Sequence, residues 1–334
     1  ITEHLNISRS DFTLAWSSKS ICEMLTTLFS EFKPKGLIKS DSKRLRYIDA
    51  AYFIGVFLVV LGHAHPLTDA WYNTWLKHMN AFIYSFHMHL YFFIAGYLLV
   101  HSKSIDKIGY KKWAINKILK FGVPYLILTV VAYLPKFLIG GTSDVVEFSF
   151  SYFIRTTFLE PRIGVWGHFW FITAYLPIDL IWGLWRAYAP KNKWVYRLGI
   201  VLGFIISLAI AIFPISTNIL TLYDISEVAI FYCVGILVAL AKPYLWNSKY
   251  KLILGMIISA VGVYFLYPFG NYMNYKSKSF TLLNVFNSKV SNFDIANTTF
   301  YNLLVSLLLV WFCWCLANLI GRIKSFTLPE KVSP

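Results

Sequence analysis

Charged residues are scarce in this sequence, and their scarcity excludes an ordinary water-soluble domain. Only 14% of its 334 residues are charged, whereas a soluble globular domain carries about 25%. Hydrophobic residues make up 57% of the chain, and aromatic residues make up 19%. The composition therefore predicts a chain that folds mainly within a lipid bilayer.

Acidic residues are also few, so the formal net charge is +15. In a soluble protein such an excess of positive charge would suggest nucleic-acid binding. Here the lysines and arginines lie in the segments between apolar runs, which is the pattern that sets the orientation of a membrane protein. We therefore expect the lipid bilayer, and no nucleic acid, as a partner.

Metal ligands with a recognisable spacing are lacking. The four cysteines, which we interpret as packing residues, show no spacing typical of a zinc or redox site. They are Cys22, Cys233, Cys313 and Cys315. Two histidine pairs occur, His63 with His65 and His87 with His89. The members of each pair are two positions apart and lie on different faces of a helix, so we expect no bound metal.

Signals for additional segments are lacking too. No basic, apolar and small-residue cleavage pattern follows Ile1, so we expect no signal peptide. No internal repeat and no attached soluble catalytic domain is visible. We expect residues 1–45 to form a cytoplasmic segment, either an amphipathic helix or a disordered tail. Residues 46–323 would form a transmembrane domain, and residues 324–334 a cytoplasmic tail.

Long apolar runs are what the sequence does contain. A helix needs about 20 apolar residues to cross a hydrocarbon core of about 30 Å. About eight such runs occur, at roughly 48–66, 81–100, 118–139, 168–189, 198–216, 225–242, 252–269 and 298–320. The stretch 140–167 is aromatic and glycine-rich but charged, so it is either an outer loop or partly re-entrant. We predict an all-α polytopic membrane bundle of about 8 to 10 transmembrane helices.

Basic residues alternate from one connecting segment to the next. One set of alternate segments carries 22 lysines and arginines, and the other set carries 7. Because the basic-rich side of a membrane protein faces the cytoplasm, we predict an even number of spans with both termini cytoplasmic.

Ionisable residues within the predicted spans cost about 2.5 to 3.5 kcal/mol each to insert and are therefore candidates for function. They are His63, His87, His89, His168, Asp179, Asp224 and Glu227. From the helical rise, His63 lies about 4 to 5 Å, and His87 about 9 Å, below the same outer surface. A later span begins at His168. We therefore expect these three histidines, from three helices, to meet in the outer half of the membrane.

The remaining polar candidates are placed by their positions along the helices. Asp49 precedes His63 by 14 positions, about 21 Å along a helix, so it cannot orient that imidazole. We place Asp49 at the cytoplasmic mouth, as a candidate for substrate binding together with Ser85 and Trp170. We interpret His65 and His89 as structural.

Four stretches of the sequence resemble the acyltransferase family 3 membrane proteins. They are RLRYIDA at 44–50 with the apolar run that ends at His63, YSFHMHLYFFIAGY at 84–97, NKILKFGVPY at 116–125 and HFWFI at 168–172. They occur in order and with family-like spacing, and within the family the likeness is to fucose 4-O-acetylase-like and exopolysaccharide-modifying members. The sequence departs from the family at Tyr52, where a basic residue is usual, and at His89, where proline is usual. Lys117 and Lys120 stand where arginine is usual.

The resemblance implies an integral-membrane O-acyltransferase of the bacterial inner membrane. Such an enzyme moves an acyl group, usually acetyl from cytoplasmic acetyl-CoA, to a sugar hydroxyl of a surface polysaccharide or lipid-linked glycan. His63 corresponds to the family's catalytic histidine and would act as general base, while His87 or His168 would orient it or donate a hydrogen bond to the oxyanion. The cations expected to pair with the CoA phosphates are Arg44, Arg46, Lys112, Lys117 and Lys120.

Two other functions stay open on the sequence. The chain could be a glycan or glycolipid transporter, a flippase that uses Asp179, Asp224 and Glu227 as proton or substrate sites. Against a transporter, the chain has no repeated halves. Tyr52 leaves open a catalytically inactive relative that acts as a scaffold in a glycan-assembly complex. A homo-oligomer is also compatible with the sequence.

Overall fold

The structure, a computed structural model, describes residues 45–63, 74–102, 104–139, 149–164, 167–189, 193–213, 219–241, 248–267 and 292–323. Nearly all of the predicted N-terminal segment, the tail at 324–334, Arg44 and His65 lie outside the described residues. Within the described ranges every regular element is a helix and there is no strand. The predicted all-α class is therefore confirmed for this part of the chain.

Eleven α-helices occur in the described ranges. They are α1 Arg46–His63, α2 Thr74–Tyr84, α3 His87–His101, α4 Ser104–Ile108, α5 Tyr110–Ile139, α6 Phe150–Ile154, α7 Trp170–Tyr188, α8 Lys193–Ile212, α9 Leu222–Leu240, α10 Lys249–Leu266 and α11 Asn292–Ile320. A π-helical turn occupies Arg155–Leu159, and short 3-10 turns occupy Pro161–Ile163, Gly167–Phe169 and Ile219–Thr221.

Seven segments of the described chain are long and apolar enough to cross a membrane. They are Arg46–His63, Met79–His101, Tyr110–Tyr133, Trp194–Ile212, Ile219–Leu240, Lys249–Leu266 and Phe300–Ile320. The protein is therefore an integral membrane protein. The predicted span at 168–189 corresponds to α7, whose 19 residues include Asp179 and Arg186 and are less apolar as a result. The prediction of 8 to 10 spans stays a prediction.

The predicted span at 81–100 is not one continuous helix. A turn at Ser85 and Phe86 separates α2 from α3, and Phe86 has φ −147° and ψ −18°, outside the helical region. The Ser85 hydroxyl donates to the carbonyl of Phe82 at 2.7 Å. A serine side chain that binds nearby backbone competes with the helical hydrogen bonds, which favours the break at this point.

Helices α3 and α9 form the centre of the bundle. A Cβ atom on Gly96 would lie 1.9 Å from the Tyr232 carbonyl oxygen, and a Cβ on Gly235 would lie 2.1 Å from that of Phe93. The two glycines therefore let the backbones of α3 and α9 touch, as small residues do between membrane helices. Helices α5, α8 and α10 instead expose apolar side chains, such as Ile127, Ile206 and Phe265, which suits contact with lipid.

The start of α1 and the end of α11 lie at the same end of the bundle, which we call the Arg46 end. A Cβ on Gly321 would lie only 2.7 Å from the Tyr47 nitrogen, and the Tyr47 and Tyr97 hydroxyls are 2.8 Å apart. Arg186, near the end of α7, donates there to the carbonyl of Leu99 and pairs with Asp106 at 2.9 Å. The opposite end, where α1 finishes, is the His63 end. That the Arg46 end is cytoplasmic stays a prediction.

Candidate active site

His63 is the last residue of α1, and a backbone hydrogen bond fixes its ring. Its Nδ1 lies 2.8 Å from the Val59 carbonyl oxygen. A carbonyl oxygen can only accept a hydrogen bond, so Nδ1 carries the proton. In the neutral imidazole the other nitrogen, Nε2, is then an acceptor on an exposed side chain. In this tautomer Nε2 can accept a proton, as a general base must.

Two side chains from other segments surround this imidazole. The His168 ring, just before α7, lies 5.3 Å from the His63 ring centroid. The Tyr84 hydroxyl, at the end of α2, lies 3.3 Å from His63 Nε2. Asn80 ties α2 to α1, because its amide donates to the Gly62 carbonyl at 2.8 Å. The structure therefore brings His63 and His168 together and adds a hydroxyl beside them.

His87 lies next to Tyr84 rather than at the Nε2 atom of His63. It is buried, and its Nδ1 lies 2.9 Å from the Ile83 carbonyl oxygen. The Tyr84 ring packs edge-on against His87 with centroids 4.9 Å apart, and it also lies 5.9 Å from the His63 ring. Tyr84 thus stands between the two histidines. A catalytic role for His87 stays a prediction.

His89 and Ser85 lie in the packed interior. His89 is buried, stacks on Phe231 with centroids 4.2 Å apart, and places Nδ1 2.8 Å from the Ser85 carbonyl oxygen. That carbonyl also accepts a hydrogen bond from the Ser306 hydroxyl at 2.6 Å. His89 therefore has the surroundings of a structural residue. The role of Ser85 in substrate binding stays a prediction, with its hydroxyl engaged in its own turn.

A charged cluster that includes Trp170 borders the histidines. The Arg162 guanidinium lies 4.4 Å from the centroid of the Trp170 ring, two residues beyond His168. Arg162 also pairs closely with Asp224 and approaches Glu227 to 3.8 Å. The Asp224 side chain is completely buried and that of Glu227 is 14% exposed. One cation therefore faces two carboxylates at the His63 end.

Backbone strain accompanies this cluster. Leu220 and Thr221, which lead into α9 just before Asp224, have φ values of 54° and 56°. A β-branched residue such as threonine rarely adopts the left-handed region. Such strain is commonly retained at functional sites, which makes the start of α9 part of the candidate site.

The predicted cations are distributed along the bundle. Arg46 and Lys112 are exposed near the starts of α1 and α5. Lys117 is farther along α5 and pairs with Asp179 at 3.0 Å, so it lies among the helices. Lys120 is exposed, with its ammonium 5.7 Å from the centroid of the Phe121 ring. Contacts of these residues with CoA stay predictions, as does substrate binding by the half-buried Asp49.

The described residues of the site do not form a metal centre. Within the ranges that the structure describes, no group of three or more histidine, cysteine, aspartate or glutamate side chains could hold a metal ion. At the His63 end, the acceptor nitrogen Nε2 of His63 instead lies beside the Tyr84 hydroxyl.

The sequence pattern of an acyltransferase domain family matches residues 45–333 of the chain. The chain belongs to acyltransferase family 3. Membership places an acyltransferase enzyme domain over the whole described bundle, from α1 to the end of α11. An enzyme of this class requires an acyl donor and an acyl acceptor in addition to the lipid that surrounds its spans.

One curated relative in this comparison is Nodulation protein NolL of Sinorhizobium fredii (strain NBRC 101917 / NGR234). The two sequences are 28% identical over 194 residues, which is 55% of this chain and 46% of NolL. The matched part therefore spans about half the length of the curated relative. No solved structure matches the chain.

Sequence reasoning missed Tyr84 as a candidate. Tyr84 is the first residue of the stretch 84–97 that resembles the family, and it precedes His87 by three positions. Its nearness to His87 in the sequence, across the turn at Ser85 and Phe86, was the available signal for their contact. Its approach to His63 is a contact between α1 and α2, which the linear sequence does not specify.

Proposed function

We propose that this protein is a membrane O-acyltransferase in which His63 is the general base. The acyl group, which we propose is acetyl, passes from acyl-CoA to a sugar hydroxyl of a surface polysaccharide or lipid-linked glycan. The observation that supports this most is the hydrogen bond from His63 Nδ1 to Val59, because it leaves Nε2 as the acceptor beside Tyr84. Membership of acyltransferase family 3 supplies the reaction class.

The proposed reaction is a direct transfer between donor and acceptor. Nε2 of His63 removes the proton of the sugar hydroxyl as its oxygen attacks the thioester carbonyl. The carbon–sulfur bond then breaks, the CoA thiolate leaves, and the proton passes from the imidazolium to the thiolate. The products are an O-acyl ester and free CoA.

Tyr84 and His168 are the proposed donors to the oxyanion of this reaction. The Tyr84 hydroxyl lies 3.3 Å from Nε2, so it is near the place where the acceptor hydroxyl must bind. When the sugar hydroxyl takes its place at Nε2, the phenol is released to donate to the thioester oxygen. One well-placed donor of this kind contributes about 10²- to 10³-fold to the rate.

The acceptor is proposed to bind at the His63 end and the donor to reach it from the Arg46 end. Trp170 offers an aromatic surface beside His168, and the neighbouring Arg162 and Glu227 offer hydrogen-bonding groups for a sugar. Arg46 and Lys112, near the other end, would hold the CoA phosphates. In this proposal the Arg46 end faces the cytoplasm of a bacterial cell and the bilayer is the inner membrane.

A transporter of a glycan or glycolipid is the second candidate. It is favoured by the carboxylates within the bundle, since Asp179 and Asp224 are both buried and both paired with a basic residue. Intramembrane ion pairs of this type occur in proton and substrate pathways.

The test uses purified protein in detergent with radiolabelled acetyl-CoA and a glycan-lipid extract. Wild type is expected to transfer label to the glycan, and His63→Ala to lose that transfer. His101→Ala is the matched control, because His101 makes the same Nδ1 contact, at 2.9 Å to the Tyr97 carbonyl oxygen, at the other end of the bundle. Binding of glycan by wild type without transfer from any acyl-CoA would favour transport instead.

A further inference from the structure

An ion pair near the middle of the bundle joins three helices. Lys117 of α5 pairs with Asp179 of α7 at 3.0 Å, and its ammonium donates to the Tyr175 hydroxyl at 2.8 Å. The Tyr232 hydroxyl, on α9, donates to the other carboxylate oxygen of Asp179 at 2.6 Å. Two tyrosines and one ion pair thus form a polar cluster among apolar helices.

Spare hydrogen-bonding capacity in this site lies on the Lys117 ammonium and on Oδ2 of Asp179. Asp179 is buried, with a side chain only 3% exposed; Tyr232 donates to its Oδ1, whereas Oδ2 lies 3.0 Å from the Lys117 ammonium but accepts no hydrogen bond from the described residues. A lysine ammonium has three N–H donors, and one of them is given to the Tyr175 hydroxyl. The Lys117 side chain is 27% exposed, so a remaining donor can reach a ligand.

The charge of the site selects the kind of ligand. Asp179 neutralises Lys117, and its carboxylate would repel an added phosphate. A neutral acceptor, such as an amide or thioester carbonyl, can accept a hydrogen bond from Lys117 without that cost. The phosphate role expected for Lys117 from the sequence is therefore less suitable than a contact with a carbonyl group.

The position of the pair identifies the carbonyl. Asp179 is nine residues from each end of α7, about 13 Å from either end along the axis. A thioester bound at this level would be out of reach of His63. In acyl-CoA, amide carbonyls of the pantetheine arm lie between the phosphates and the thioester. An arm that runs from the Arg46 end to His63 would pass these amides along Lys117.

We propose that Lys117 binds a pantetheine amide carbonyl of the acyl donor, and that Asp179 and Tyr232 are positioning residues that hold Lys117 in place. This inference rests on the proposed acyl transfer. A purely structural role is the competing explanation, although buried ion pairs are often replaced by neutral groups without loss of stability.

The test compares acetyl-CoA with a short acetyl thioester of 2-mercaptoethanol, which has no amide. Lys117→Met is expected to lower kcat/KM for acetyl-CoA about 10- to 100-fold, through KM, because it removes a hydrogen bond from a charged donor. It should leave kcat/KM for the short thioester within about twofold of wild type. Asp179→Asn should show the same selective loss, and the double variant should be no worse than Lys117→Met alone, because the residues act together.

Asp106→Asn is the matched control, because it breaks an ion pair with Arg186 at the Arg46 end. This variant should keep the wild-type kcat/KM for both thioesters. Equal losses with both thioesters, or recovery of wild-type KM in the double variant, would overturn the inference and leave the proposed function standing. If wild type transfers acetyl from neither acetyl-CoA nor the short thioester, both this inference and the proposed function are rejected. If Lys117→Met does not fold, Tyr232→Phe replaces it, with an expected rise of about threefold in KM for acetyl-CoA only.

Discussion

Replacement of Tyr84 by phenylalanine removes a single hydroxyl from the proposed site. The Tyr84 ring contacts with His63 and His87, at 5.9 and 4.9 Å, do not depend on that hydroxyl. The lost hydrogen bond is long, 3.3 Å, and the side chain is 39% exposed. Its removal should therefore cost at most about 1 kcal/mol of stability.

The effect of Tyr84→Phe on the rate should be much larger than its effect on stability. If the phenol donates to the oxyanion, kcat should fall about 100-fold, which is the lower part of the range for such donors. KM for the glycan acceptor should change by less than about threefold, because the contact is made mainly in the transition state. A large fall in kcat with little change in KM is therefore the diagnostic result.

The assay is steady-state transfer of labelled acetyl with wild type, Tyr84→Phe and Tyr250→Phe. Tyr250 is a suitable control, because it is 38% exposed and lies on α10. An unchanged kcat in Tyr84→Phe would refute the assignment of this hydroxyl to the oxyanion. A loss confined to KM would show instead that Tyr84 only contacts the acceptor.

Two further predictions concern the packing that holds the site. Gly96→Ala should destabilise the fold by more than about 3 kcal/mol, because its Cβ would lie 1.9 Å from the backbone oxygen of Tyr232. Fluorescence-detected size exclusion should then show loss of the monodisperse peak. A wild-type elution profile would be evidence against close contact between α3 and α9. Arg162→Met should cost about 3 to 5 kcal/mol, because it leaves the buried Asp224 carboxylate unpaired. Adding Asp224→Asn should restore much of the thermal stability, and a double variant no more stable than Arg162→Met would contradict the pairing.

The membrane helices could be predicted from the sequence because the signal is local. An apolar run of about 20 residues marks a span wherever it lies, and seven predicted runs coincide with the spans of the structure. The contact between His63 and His168 followed from the same reasoning, since helical rise fixes depth in the membrane. The break at Ser85 was missed because an apolar composition does not indicate a turn.

The polar pairs could not be predicted, because they join distant parts of the chain. Arg162 and Asp224 are 62 positions apart, and their pairing depends on how the 161–163 turn meets α9. Lys117 was predicted as a cation that pairs with the CoA phosphates, and its partner Asp179 was not predicted. Only packing of α5 against α7 distinguishes it, by placing Asp179 3.0 Å away.

The central claim, that His63 is the general base, is tested most directly by single-turnover acetyl transfer in His63→Ala with and without added imidazole. His63→Ala should be slower than wild type by about 10²- to 10⁴-fold, the usual contribution of a general base. Imidazole should restore part of the rate in this variant and have no such effect on His101→Ala. A wild-type rate in His63→Ala would contradict the account.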